Sequence, residues 1–93
     1  MNINIDYDGT YTANPDMWDA IINIMHEHGC KVYCITKRWG NVDERKPQVP
    51  IINAIKSKLE ASKATGIDID VWIDDKPQSI TPYRLMKHKR YKY

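Results

Sequence analysis

The sequence predicts an α/β domain: a parallel, flavodoxin-like or Rossmann-like sheet of about four strands in a three-layer arrangement with helices. Three observations carry that expectation. Stretches of β-branched, alternating character take turns with stretches of helical period, in the order β-α-β-loop-β-α-β. The 93 residues suffice for one small domain and leave no room for a second. Hydrophobic residues at 42% and charged residues at 28% fit the profile of a soluble globular domain. No apolar run approaches the roughly 20 residues that a membrane-spanning helix needs.

The elements follow in order. Ile3-Asn4-Ile5 alternates and ends at Asp6-Tyr7-Asp8-Gly9, so residues 2–6 read as a strand entering a loop. Asn14-Pro15-Asp16 announces a helix, with an N-cap, a proline at the first position and an acid at the positive end of the dipole. Met17, Ile21, Ile24 and Met25 continue it at helical spacing, with Trp18 and Ile22 beside them, and Gly29 closes it. Residues 31–36 form the second strand, and the polar run 37–47 a loop. Residues 49–53 are a short third strand with Pro50 near its start. Residues 54–65 form a helix with Ile55 and Leu59 facing inward, ended by Gly66. Residues 67–73 are the fourth strand, with Asp74-Asp75-Lys76-Pro77 as the loop after it.

Charge divides the chain. Residues 1–75 hold eight Lys/Arg against twelve Asp/Glu, a net of −4, while residues 76–93 hold six Lys/Arg and no acid. An acidic body over residues 1–78 therefore carries a basic tail over 79–93. The first six residues lack the basic and apolar regions of a signal peptide, which points to the cytoplasm. Cys30 and Cys34 have neither CxxC spacing nor a histidine partner, and read as free, buried thiols in a reducing compartment.

Open parallel sheets bind ligands outside the carboxyl ends of their strands. The first strand delivers Asp6, Asp8, Gly9 and Thr10 there, the second Thr36, the third Asn53 and a helix bearing Lys56 and Lys58, and the fourth Asp74 and Asp75. Four carboxylates on one edge repel one another. A divalent cation resolves that conflict, and an oxygen-rich donor set suits Mg²⁺. Asp6 and Asp8, two apart, are expected on the same side of the chain. One carboxylate can then attack while the other moves a proton. Gly9 permits a turn that presents backbone N–H groups to an anion.

At these residues the chain resembles the haloacid dehalogenase (HAD) superfamily of phosphohydrolases. Asp6-Tyr7-Asp8-Gly9-Thr10 matches that superfamily's DxDGT motif after a hydrophobic strand, Thr36 its second motif, and Trp72-Ile73-Asp74-Asp75 its acidic fourth motif. The stretches 6–12 and 71–77 are also similar to small HAD-like proteins common in bacteriophages. The resemblance spans residues 2–77 and implies a Mg²⁺-dependent phosphatase of bacterial or phage-infected cytosol. It implies Asp6 as nucleophile forming an aspartyl-phosphate, and Asp8 as general acid and then base. Thr36 would bond a phosphoryl oxygen, and Asp6, the Asp8 carbonyl, Asp74 and Asp75 would hold the cation. It also implies a lysine beside the phosphoryl group. Lys58 is preferred and Lys56 comes next, because both follow the third strand. Lys46, in Arg45-Lys46-Pro47, imitates a Lys-Pro form of that motif, but too close behind Thr36.

The superfamily's larger members enclose small substrates under cap domains. No cap fits between Asp8 and Asn14, or between the third and fourth strands, so this chain reads as capless. An open site suits a phosphate on a nucleotide or nucleic acid, or a neighbouring copy of the chain that closes it as a homo-oligomer.

Plainer readings stand beside these. Aspartates favour turns and caps, and a HAD-like fold can lose its chemistry. His26 and His28 lie two apart on a helix and do not face together. Trp18 and Trp72 read as core, and Trp39 as a residue for the site mouth. The tail from Tyr83 to Tyr93 mixes bases with aromatics, a composition for nucleic-acid contact or for a solvated terminus. The alternative function is a non-catalytic module that binds nucleic acid or a host protein through that tail.

Overall fold

The computed structural model describes residues 1–38 and 45–81. The tail from residue 82 onward and Trp39 lie outside the described residues. Four strands, β1 (Asn2–Ile5), β2 (Lys31–Thr36), β3 (Ile51–Asn53) and β4 (Val71–Ile73), form one sheet in the order β3-β2-β1-β4. Every pairing is parallel: Ile3 lies opposite Val32 and Val71, and Cys34 opposite Ile51. Two helices connect them, α1 (Pro15–Glu27) from β1 to β2 and α2 (Lys58–Thr65) from β3 to β4. The central pair, β1 and β2, carries the core. Ile3, Ile5, Val32 and Cys34 are buried with Tyr7, Tyr11 and Ile22, and Trp18, Met25, Ile51 and Ile73 pack against them.

Helix α1 starts where its sequence places it. The Asn14 side chain accepts the Met17 N–H at 3.2 Å, and Pro15 occupies the first turn. Its buried seam differs from expectation. Ile22 is buried and Trp18 and Met25 pack on the core, whereas Met17 and Ile24 are exposed. Six apolar residues within nine positions cover more than one stripe of a helix, so period alone leaves the seam open. The stripe 17–21–24 has the same spacing as 18–22–25, and only contact with the core distinguishes the two.

Helix α2 begins four residues later than the expected 54–65. Ser57 accepts the Glu60 N–H at 3.1 Å while the Glu60 carboxylate accepts the Ser57 N–H at 3.3 Å, a complete capping box. That reciprocal pair satisfies two N-terminal donors, and Ala54 offers nothing comparable. Ile55 consequently lies ahead of the helix and is 76% exposed, and the buried face of α2 carries Lys58 and Ser62 instead. Strands β3 and β4 are also shorter than expected. Ahead of β3, only the Pro50 carbonyl joins the ladder, accepting the Cys34 N–H at 2.9 Å. Ahead of β4, the Asp70 carboxylate accepts the Asn2 N–H at 2.7 Å, and the Asn2 side chain donates to the Asp68 carbonyl. The Asp70 N–H still donates to the Asn2 carbonyl at 2.8 Å, but these side chains take the other bonds that a longer ladder would use.

Cys30 and Cys34 are free thiols. Burial pushes the Cys34 thiol up to about 12, so it is an inert core residue. No helix among the described residues is long and apolar enough to cross a membrane.

Candidate active site

The carboxyl ends of β1, β2 and β4 and the start of α2 meet in a cleft of about 280 Å³. Asp6 follows β1 directly. Its N–H donates to the Ile73 carbonyl at 2.9 Å, so β1 and β4 are still paired where their aspartates begin. The chain then turns back on itself. Tyr11 donates its N–H to the Asp6 carbonyl, Thr12 its N–H to the Tyr7 carbonyl, and the Gly9 N–H reaches the Thr12 hydroxyl at 3.0 Å. Tyr7 and Tyr11 stack beneath this turn with centroids 5.9 Å apart. The Tyr11 hydroxyl donates to Asp19 at 2.8 Å, which ties the turn to α1.

Lys58 is the centre of the site. Its ammonium donates to Asp6 Oδ1 at 2.6 Å and to Asp74 Oδ2 at 2.5 Å, and its side chain is 3% exposed. A lysine is buried at that cost only when paired. Carboxylate oxygens of Asp6, Asp74 and Asp75 lie within 4.8 Å of one another. The second oxygen of Asp74 accepts the Lys76 N–H at 2.9 Å, which fixes that carboxylate from outside. Thr10 donates its hydroxyl to Asp6 Oδ2 at 3.4 Å.

The electrostatics follow from burial. Desolvation raises the Asp6 carboxyl to about 6; Lys58 opposes the shift without cancelling it, and Asp75 and Asp74 reinforce it. Burial pulls Lys58 down, but its bonds to Asp6 and Asp74 outweigh that and hold it above the ordinary lysine value. The ammonium therefore stays charged, and the strain of the cluster falls on Asp6.

Of the residues singled out from the sequence, Asp6, Asp8, Thr36, Lys58, Asp74 and Asp75 all line this cleft. The three-carboxylate group does not include Asp8. Asp8 lies beyond the end of β1, its side chain is 58% exposed, and it faces Arg38 Nε at 3.7 Å. Strand alternation does not extend into the turn that places it. Thr36 is buried and its hydroxyl accepts the Arg38 N–H at 3.1 Å. Lys56 is exposed outside this cleft, and Lys46 lies ahead of β3, at the opposite strand end. The wall also contains Lys37, Arg38, Lys76 and Ser79, which the sequence alone does not single out as site residues. Each follows directly or closely on a strand end marked by Thr36 or Asp74, but only the folded sheet shows that they share one wall.

Gly9 shows how tightly the two acidic loops approach. Its φ is +83°, and a Cβ placed on it would overlap Asp75 Oδ2 and come 2.8 Å from Asp75 Cγ. Gly9→Ala is expected to cost about 1–2 kcal/mol from the left-handed backbone alone. It is also expected to turn the Asp75 carboxylate out of the cluster, since that side chain is the movable partner. Denaturant titration reads the first effect. A crystal structure of the variant reads the second, and an unmoved Asp75 carboxylate would show that the backbone yields instead.

The fold and the site define an α/β domain with a four-stranded parallel sheet and a lysine-bridged carboxylate cluster at its carboxyl edge. No protein-family model matches the chain, and neither a curated protein nor a solved structure matches it.

Proposed function

We propose that this chain is a capless, Mg²⁺-dependent phosphatase of the HAD type, acting on phosphate monoesters of nucleotides or nucleic acids. The observation that carries the reading is Lys58 bonded to both Asp6 and Asp74, with Asp75 completing a close carboxylate group at the strand ends. The steps from β1 to β2 and from β3 to β4 run in opposite directions along the sheet, and the usual right-handed crossover at both would set α1 and α2 on opposite faces, as the reading requires.

In this reading Asp6 attacks phosphorus through a carboxylate oxygen as the bond to the leaving oxygen breaks. Asp8 gives that oxygen a proton. Water then attacks the aspartyl-phosphate, Asp8 takes its proton, and inorganic phosphate and free Asp6 result. Asp8 suits proton exchange because it is exposed to the cleft and lies outside the crowded group. Thr36 and Lys58 hold the phosphoryl oxygens and balance their charge. Asp6, Asp74 and Asp75 offer hard oxygen donors that fit Mg²⁺, which when bound neutralises charge on the transferring group.

Hydrolysis of an aryl phosphate that depends on Mg²⁺ tests the reading, and its absence under all metal conditions overturns it. A second test reads the metal alone. Mg²⁺ at millimolar concentration is expected to raise the melting temperature, because only the native state gathers the carboxylates. Asp74→Asn is expected to weaken that shift. The shift should also grow with pH. Asp6 goes from an unfolded value of 3.8 to about 6 in the fold, so the native state holds its proton more tightly. Without metal, the contribution of Asp6 to stability is full at low pH and is lost as pH rises through about 6. A cation competes with that proton, so the Mg²⁺ shift should be larger at pH 7.5 than at pH 5. Equal shifts at both would place the cation away from Asp6.

A further inference from the structure

A second cleft, of about 340 Å³, adjoins the first and shares Lys37 and Ser79 with it. Lys56, Ser57, Gln78 and Thr81 complete its wall, together with Glu60. Its charges are unequally engaged. The Glu60 carboxylate is turned into the helix cap, accepting from the Ser57 hydroxyl at 2.9 Å and from the Ser57 N–H. Neither Lys37 nor Lys56 makes an ion pair among the described residues, and both are exposed. Two ammonium groups, a side-chain amide and hydroxyls thus face one space, next to a cleft whose floor is acidic. That donor set matches an anion with several oxygens. It does not match an apolar group.

We propose that the second cleft is a subsite for a second phosphate of the substrate. The substrate class is then a small bisphosphate or the phosphorylated end of a polynucleotide, in which the next phosphate lies beside the one in the main cleft. The inference rests on the phosphatase reading above and adds to it the group that Lys37 and Lys56 select. The acidic floor repels polyanions, and a cation there together with this basic wall reverses the balance.

Calorimetry in millimolar Mg²⁺ tests it without turnover. Three probes serve: phenylphosphonate, methylenebisphosphonate, and a dinucleotide whose terminal phosphate is replaced by a phosphonate. At least one of the last two is expected to bind about tenfold tighter than phenylphosphonate, the scale of a charge-assisted contact. Tight bisphosphonate assigns the subsite to small bisphosphates, and tight dinucleotide assigns it to polynucleotide ends. The double variant Lys37→Gln/Lys56→Gln should erase the advantage, and Lys37→Arg/Lys56→Arg should keep it. The double variant Lys31→Gln/Lys63→Gln, an equal charge loss at exposed positions outside both clefts, should also keep it. The proposal is overturned if neither probe outbinds phenylphosphonate, or if Lys31→Gln/Lys63→Gln erodes the advantage as much as Lys37→Gln/Lys56→Gln. Failure to hydrolyse any monoester overturns the phosphatase reading by itself, since these affinities are measured without it.

Discussion

In Asp6→Asn, turnover of an aryl phosphate is expected to fall by at least about three orders of magnitude, the scale seen when a nucleophile is removed. The fold should survive intact, and stability should hold or rise. The two effects have separate causes. An amide oxygen cannot form the aspartyl-phosphate, so the covalent route closes. It can still accept the Lys58 ammonium, which Asp6 Oδ1 receives at 2.6 Å. The amide also carries no charge, and charge is what burial penalises at this position, as the rise of Asp6 to about 6 records. Activity and melting temperature should therefore move in different directions. A variant that keeps most of its activity would rule out Asp6 as the nucleophile. One that loses activity only together with its fold would leave Asp6 a structural residue.

The neighbouring acid gives a contrast. Asp8 is exposed, faces Arg38 and stands outside the close group, whereas Asp6 is buried within it. Two aspartates two positions apart therefore meet different environments, because one ends a paired strand and the other sits in the turn after it. Sequence spacing shows that the pair exists. Only the fold shows which of them is buried.

The order of strands and helices was legible because the period of the apolar residues changes from element to element. The parallel sheet followed from that order. Less legible was any place where polar groups are buried. Asn4 is fully buried in the middle of β1, where its Oδ1 accepts the Ile35 N–H at 2.7 Å. The buried face of α2 is Lys58 and Ser62, which an apolar-stripe search discards. Ile55 attracted that search instead, and it is exposed. Ser57 and Glu60 spell a capping box that would have moved the helix start to its true place. The acidic side of the site could be read from the strand-end rule. Its basic wall could not be read as a wall, because Lys37, Arg38 and Lys76 come from two loops that only the β2-β1-β4 arrangement brings together.

Lys58→Met should produce the largest loss of stability of any single substitution considered. The methionine fills a similar volume but leaves Asp6 and Asp74, with Asp75 close by, without their shared cation. Removing one partner of a buried ion pair costs about 3–5 kcal/mol. In a domain of this size each 1 kcal/mol moves the melting temperature by roughly 4–8 °C, so a fall of more than about 10 °C is expected at neutral pH in a chelator. The sign of the pH effect follows from the carboxylates that remain. Lowering pH protonates Asp6, which burial already raises to about 6, and relieves part of the repulsion, so the gap to wild type should narrow towards pH 5. Millimolar Mg²⁺ should narrow it too, and the Mg²⁺ shift of the variant should exceed that of wild type, because no ammonium competes for the same oxygens. Lys56→Met and Lys46→Met, at exposed positions without buried partners among the described residues, should stay within about 0.5 kcal/mol of wild type. If Lys58→Met melts like those two, the ammonium does not balance the cluster. If it is destabilised equally at all pH values and Mg²⁺ concentrations, the loss is one of packing, and the three carboxylates do not form the cation site inferred from their approach.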